Sequence, residues 1–518
     1  MRSFLVSCLI FVIITGTVIT CGCTTAGTCP APNGSGAPAA AIAIMQKPLY
    51  SHTTWGYKVV DLSTGKVLAE NNAGQLFTPG STVKLFSTAA ALDLLGPDYR
   101  FKTPVYAVGS RGDDGNLAGN IALVASGDPT MGGRTLPNDT IEFTNSDHVD
   151  ANSLPDAEMT KTDPLAGLDS LAAQIKSAGI TRARDVVIDD RLFETVQLAD
   201  ASPVTPIYIN DNLIDILITP GSEGSPAIIT SRPKSALYRV EANVKTSGTE
   251  PDVTITEKGG LISVSGSIPA NHVPYLRTFV VTDPAAWARS LFIDALKRQG
   301  VAIDAPSTGI NSRANLPADY AGQKPVATLT SPPFSENVKL ILKVSQNIHA
   351  NALLGIMAAH EGKKTVENGL IIEGNYLQGA GIDPKTLSII DGEGSSDNRV
   401  SPDAAAKLLG IMASGTNAGV YRAAMPILGV DGSLAKAAAP SNPAIGKIFA
   451  KTGTSAQSDM NGDLMLLAKG LAGYMTTRSG RDVAFVIYAN NIRISSMDDL
   501  AAINTDMGSF AGSLYEAF

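Results

Sequence analysis

Cysteine is absent from the chain beyond residue 29. Cys8, Cys21, Cys23 and Cys29 are the only four. That excludes a disulfide scaffold, a cysteine-held zinc and a cysteine nucleophile from the body. Histidine is nearly as scarce, with His52, His148, His272, His349 and His360 alone. His360-Glu361 runs on into Gly-Lys-Lys, so no His-Glu-x-x-His zinc motif forms. Positive charge is in deficit, 40 Lys+Arg against 48 Asp+Glu for a net charge of −8. No basic run offsets this, which argues against a nucleic-acid partner. Long apolar runs are missing except at the start, where Phe4 to Thr20 falls slightly short of the ~20 residues that span a bilayer.

What is present begins with that run. Arg2 precedes it and the small residues Cys21-Gly-Cys-Thr-Thr-Ala-Gly27 follow, so residues 1–29 read as an export segment. Gly22-Cys23 resembles a lipoprotein cleavage site, although Thr20 stands where an aliphatic residue is usual. Simple secretion and a membrane tether, through a lipid on Cys23 or through the segment itself, both stay open. Residues 30–44, rich in Pro, Gly and Ala, read as a linker. The protein is expected to be exported, to the periplasm or the outer face of the membrane.

The remaining chain is long enough for several domains of ~150 residues. Tyr57–Leu62 and Lys66–Glu70 read as a hairpin, and Ser81–Leu95 as a helix stopped by Gly96-Pro97. Residues 101–325 are rich in Gly, Pro, Thr and Asp, with strand-like runs at Ile121–Ala125, Asp185–Ile188, Leu213–Ile218 and Val253–Val264. Helical stretches interrupt them at Leu165–Ala178 and Pro284–Gln299. Helices are expected at Val338–Ala359, Thr365–Gln378 and Pro402–Ala413. Strands are expected at Lys447–Gly453, Ala468–Thr476 and Val483–Ala489, with a last helix from Met497. We therefore expect an α/β (α+β) domain, residues 45–100 and 326–518, whose sheet joins the first hairpin to the last three strands. Large, mainly β inserts split it: 101–195 with 278–325, and 196–277 nested within them.

Ser-x-x-Lys occurs at Ser63/Lys66, Ser81/Lys84, Ser231/Lys234 and Ser433/Lys436. A serine nucleophile with a lysine base needs the pair on one face of a helix start, where free N–H groups stabilise an oxyanion. Ser63 lies in a Thr-Gly turn and Ser231 has Pro233 inside its spacing. Ser433 could open a short helix and is a rival. Ser81 follows Pro79-Gly80 and opens the long helix; its bland reading is a helix N-cap. Lys451-Thr452-Gly453 occurs once, on a predicted edge strand whose small residues let a substrate backbone approach. Ser-x-Asn occurs at Ser335/Asn337, Ser345/Asn347 and Ser396/Asn398. The last lies in a Gly/Ser/Asp loop, whereas Ser345 continues the apolar row of Val338, Ile341 and Leu342. Polar groups there need partners, which suits a cleft.

The order Ser81-x-x-Lys84, Ser345-x-Asn347, Lys451-Thr452-Gly453 resembles the penicillin-recognising serine acyltransferase signature. With the first two motifs about half the chain apart, the sequence is similar to the class C low-molecular-mass penicillin-binding proteins, the D-alanyl-D-alanine carboxypeptidase/endopeptidase family. Ser126-Gly-Asp-Pro-Thr130, Asp185–Phe193, Asn210–Asp215, Gly429–Leu434 and Leu471–Tyr474 carry the same likeness. The resemblance implies a β-lactamase-like catalytic domain, with Ser81 as nucleophile, Lys84 as its base and Ser345 as proton relay. It gives Asn347 to a substrate amide, Lys451, Thr452 and Gly453 to the substrate strand and carboxylate, and the Thr454 N–H to the oxyanion. It implies no metal or cofactor, with wall peptides as substrate and β-lactams as inhibitors. Two segments depart from the family spelling: Asn351 replaces an acid, and Asp391-Gly-Glu-Gly-Ser-Ser-Asp397 ends in an acid where a base is usual. Alternatives of the same chain are a serine β-lactamase or esterase, a non-catalytic wall-binding lipoprotein and a solute-binding lipoprotein.

Overall fold

A computed structural model describes residues 36–198 and 202–518. The expected export segment, Cys23 and the first part of the expected linker lie outside the described residues. Among the described residues, no helix is long and apolar enough to cross a membrane.

The central sheet has the strand order Ile448–Ser458, Leu464–Thr476, Asp482–Asn490, Thr54–Asp61, Val67–Asn71, all antiparallel. The first hairpin therefore does join the last three strands, with Tyr57 opposite Ile487 and Lys451 opposite Ala472. Both sheet faces are covered, which explains why Val483–Ala489 is apolar without alternation. One face carries Tyr57, Phe485 and Ile487 against Phe510 and Leu514 of the C-terminal helix Met497–Ala517. The other carries Val486 and Tyr488 against Phe77 and Phe86 and the helical layer.

Four sequence expectations change. Residues 39–45, all but the last expected in the linker, form a helix whose Ala41, Ile44 and Met45 are buried in the same cluster as the C-terminal helix. Its Ala/Ile/Met composition favours helix and offers an apolar face. Val338–Ala359 is two helices, Phe334–Lys343 and Asn347–His360, broken at Ser345. Val253–Val264 is two strands, Asp252–Lys258 and Leu261–Ile268, turned by Gly259 and Gly260 at positive φ. The strand Ala327–Thr330, expected in the catalytic segment, pairs with Lys102–Arg111 of the insert, so the crossing back comes a few residues later.

The insert holds a five-stranded sheet in which Arg182–Asp189, Asn116–Val124 and Lys102–Arg111 are the inner strands. Helices Ala166–Ser177 and Pro284–Arg298 share its core through Leu171, Ile175, Trp287 and Leu291. Strands between residues 213 and 280 form two further three-stranded sheets.

Candidate active site

The site is built around a turn. Ser81 lies in a 3-10 turn, Gly80–Val83, that leads into the helix Lys84–Leu95. Gly80 has φ +53°, and Thr82 Oγ1 donates to Pro79 O at 2.9 Å, which closes the turn. The helix is buried on all sides from Lys84 to Leu92, not along one stripe. Lys84 therefore starts a core helix with a charged group at 0% exposure. Its Nζ donates to Ser81 Oγ at 2.8 Å, Asn347 Oδ1 at 2.6 Å and the Glu393 carbonyl at 2.6 Å. All three acceptors are neutral. Burial lowers the Lys84 pKa to about 8, while the charges of Glu393, Asp150 and Asp391 pull it back up.

Ser345 breaks the helical pair with φ +63°, a left-handed conformation that costs a non-glycine residue about 1 kcal/mol or more. Gln346 caps the second helix, its side-chain oxygen accepting the Ile348 N–H at 3.1 Å. Asn347 thus sits at a helix start, aimed at Lys84. Lys451 Nζ donates to Ser345 Oγ and to the Thr452 carbonyl, each at 2.8 Å. Lys451 is also 0% exposed. Burial takes its pKa well below the usual lysine value; Lys84 and Lys469 add to this and Asp150 opposes it.

Glycine lets the Ser81 turn lie against the strand. A Cβ on Gly453 would come 2.3 Å from the Pro79 carbonyl, and one on Gly80 would come 2.7 Å from the Thr454 nitrogen. Two backbones meet with nothing between them, and the Thr454 N–H stands beside the serine turn. Thr452 Oγ1 lies 2.8 Å from Ser433 Oγ. The structure thus links Ser81, Lys84 and Asn347 by hydrogen bonds, and Ser345, Lys451 and Thr452 by a second set, with Gly453 and Thr454 closing the gap between them.

The rival motifs separate cleanly. Ser433 borders the site through Thr452, but Lys436 reaches the exposed Asp156 at 2.6 Å, so no Ser433–Lys436 pair forms. Asn398 is fully buried and donates to Asp391 at 3.0 Å inside its own loop. Ser63 Oγ donates to Asp61 at 2.7 Å, and Ser231 lies on the strand Ile228–Arg232, not on a helix.

Two contributions were not visible in the sequence: the aim of the Glu393 carbonyl, in a loop whose altered spelling the sequence did show, and a carboxylate from the insert. The loop after Asp391 closes over the Ser81 turn. Asp391 Oδ1 accepts the N–H groups of Glu393 and Gly394 at 3.1 and 2.7 Å, which turns the Glu393 carbonyl onto Lys84. A Cβ on Gly394 would stand 2.1 Å from the Gly80 carbonyl. Asn351 also serves this loop, accepting the Gly392 N–H at 3.0 Å, a bond that a carboxylate oxygen would accept equally. The second contributor is Asp150, from the insert. Burial and the charge of Asp147 raise its pKa to about 6, while Lys84, Lys451 and His148 hold it down. No motif marks it, because only the fold brings residue 150 to these lysines.

Asp147, His148 and Asp211 bring ligand atoms within 4.8 Å of one another, a grouping that could hold a metal. Arg134 already donates to Asp147 at 2.7 and 2.9 Å and to Asp211 at 2.8 Å. The guanidinium thus supplies the cation that these carboxylates need.

Comparison with known proteins bears on this geometry. Residues 39–513 match the D-Ala-D-Ala carboxypeptidase 3 (S13) family. The D-alanyl-D-alanine carboxypeptidase of Actinomadura sp. is 28% identical over 477 residues, covering 86% of this chain and 80% of that one. The D-alanyl-D-alanine carboxypeptidase DacB of Haemophilus influenzae is 23% identical over 466 residues, covering 86% of each. The crystal structure of penicillin binding protein 4 from Haemophilus influenzae shares the fold, with a TM-score of 0.69 at 22% identity, over 92% of this chain and 99% of that one.

Proposed function

The chain belongs to the D-Ala-D-Ala carboxypeptidase 3 (S13) family, and on that premise we propose that it is a serine DD-peptidase whose acyl-enzyme forms on Ser81. Its substrate is the D-alanyl-D-alanine end of wall peptides, and it works outside the cytoplasmic membrane. The observation that carries this reading is the Lys84–Ser81 contact. A fully buried amine with a lowered pKa stands 2.8 Å from a hydroxyl on a tight turn. Once Lys84 is neutral, the same contact runs the other way, with the hydroxyl donating its proton as Oγ attacks the carbonyl carbon of the penultimate D-alanine.

The oxyanion that forms is held by the backbone N–H groups of Ser81 and Thr454. Ser345 passes a proton to the leaving amine, its own hydroxyl held by Lys451. Asn347 Oδ1 is occupied by Lys84, which leaves its amide N–H groups for a substrate carbonyl. Lys451 and Thr452 face the terminal carboxylate. Lys84 replaces the proton that Ser345 gave up with the one it took, and D-alanine leaves. Water then attacks the ester, with Lys84, neutral again, taking its proton and returning it to Ser81 Oγ as the ester breaks. A β-lactam follows the same first step and stays on Ser81. A solved complex of the Haemophilus influenzae protein with a β-lactam supports this part of the reading.

Intact-protein mass spectrometry after incubation with penicillin tests the proposal. One adduct per chain is expected on the native protein and none on Ser81→Ala. A native, folded protein that gains no adduct would sink the acyl-enzyme, and an adduct that persists in Ser81→Ala would move the nucleophile elsewhere.

A further inference from the structure

Lys469 lies on Leu464–Thr476, directly opposite Thr454 in the antiparallel register. It is 6% exposed, and its Nζ donates to Thr454 Oγ1 at 2.9 Å. Among the described residues no carboxylate lies within ion-pair distance of it. Buried cations are normally paired, and an unpaired one is costly to keep. Burial alone lowers its pKa to about 8. A substrate anion would supply the missing charge.

The Thr454 side of the contact says where that anion would bind. A threonine hydroxyl has one proton and two lone pairs. The ammonium occupies a lone pair, so the proton must point elsewhere. Among the described residues Thr454 Oγ1 has no protein acceptor, and Thr454 is exposed. Its backbone nitrogen is the one that a Gly80 Cβ would meet at 2.7 Å, beside the nucleophile turn. The pair therefore presents an O–H donor, backed by a positive charge, at the rim of the site.

We propose that Lys469 is a positioning residue that fixes and polarises the Thr454 hydroxyl as a donor to the carboxylate of the substrate's C-terminal residue. It works alongside Lys451 and Thr452 and adds selectivity for substrates with a free carboxylate. The inference rests on the acyl-enzyme reading above. It differs from that reading in placing carboxylate recognition on a second strand of the sheet, through a side chain that no motif contains.

The test compares two substrates on the purified full chain: an acyl-D-alanyl-D-alanine peptide and the same peptide as its C-terminal methyl ester. For Lys469→Met, the ratio of kcat/KM for the acid over the ester is expected to fall about tenfold, mostly through KM on the acid. Lys469→Arg should restore most of the ratio. Thr454→Val should lower it similarly, and the double variant should be no worse than either single one, because both act at one contact. Thr454→Val also keeps the test open if Lys469→Met folds poorly. A ratio unchanged in both single variants, or equal losses on acid and ester, would overturn the inference. Penicillin labelling of Ser81 in the native protein separates the two layers. Labelled protein with an unchanged ratio removes the Lys469 role alone, and unlabelled protein removes the acyl-enzyme itself.

Discussion

Two buried groups of charge lie in this molecule and are built on opposite rules. In the first, every charge has a counter-charge. Arg134 grips Asp147 and Asp211, His148 bridges Asp211 at 2.7 Å and Asp215 at 2.6 Å, His349 reaches Asp211 at 2.5 Å, and Arg232 reaches Asp215 at 3.0 Å. Burial opposes the charged forms. Even so, Asp215 and Asp211 push the His148 pKa up to about 10, and Arg134 and His349 hold Asp211 well below the usual carboxylate value. In the second group, Lys84 and Lys451 touch only hydroxyl, amide and carbonyl oxygens. In the paired group Arg134, His148 and Asp211 keep their charges in the buried state, and the group ties the insert to the helix that follows Ser345-x-Asn347, through His349. The unpaired group gives up part of its charge, and a neutral lysine amine is what the chemistry requires.

Two substitutions of similar size should separate these rules. Lys84→Met is expected to cut acylation by about a thousandfold, because it removes the proposed base. Stability should fall by no more than about 2 kcal/mol, since three acceptors lose their donor but a buried cation without a carboxylate is replaced by a thioether of like volume. Asp211→Leu should do the reverse to stability. Removing the shared carboxylate takes one of two counter-charges from Arg134 and from His148 and the carboxylate that His349 touches, a loss of about 3–5 kcal/mol by denaturant unfolding. If Lys84→Met unfolds as easily as Asp211→Leu, the contrast between the two groups is wrong.

The pH profile sharpens the same contrast on a smaller scale. If Lys84 is the base proposed above, acylation needs it neutral, and burial lowers its pKa to about 8. Below that value kcat/KM should fall about tenfold per pH unit, and above it the rate should level off. Asp150 holds Lys84 toward its charged form, so Asp150→Asn removes a negative charge that favours the ammonium. The acid limb should then move to lower pH by up to about one unit. A shift toward higher pH, or none, would show that Asp150 does not act on the base.

How much of this could be read from the chain follows from how local each feature is. Ser81-x-x-Lys84 and Lys451-Thr452-Gly453 are short, and their residue types carry the chemistry, so order alone exposed them. The sheet was legible because Val483–Ala489 and Tyr57–Leu62 have unambiguous strand composition. The Glu393 carbonyl was not legible, because every residue has a carbonyl and only the turn set by Asp391 aims this one. The left-handed Ser345 was hidden in a stretch with no Gly or Pro to break the helix. Asp150 reaches the site only through packing of distant segments, and Lys469 only through the register of a hairpin, neither of which a local pattern records. The helix at Ala39–Met45 was lost to composition, since an alanine-rich stretch after Pro and Gly reads as a tether.

The smallest expected effect concerns the serine that the sequence left as a rival. Ser433 lies in the turn Gly432–Leu434, 2.8 Å from Thr452 Oγ1 and without a lysine of its own. If the unpaired lysines define where acylation occurs, Ser433 can only tune the neighbour it touches. One neutral hydrogen bond at a partly exposed position is worth about 1 kcal/mol. Ser433→Ala should therefore raise KM for a D-alanyl-D-alanine peptide by about fivefold or less and leave penicillin labelling at one adduct per chain. Labelling lost in Ser433→Ala while Ser81→Ala still labels would reverse the assignment. It would also break the rule drawn from the comparison, because the nucleophile would then sit beside a lysine, Lys436, that is exposed and paired to Asp156.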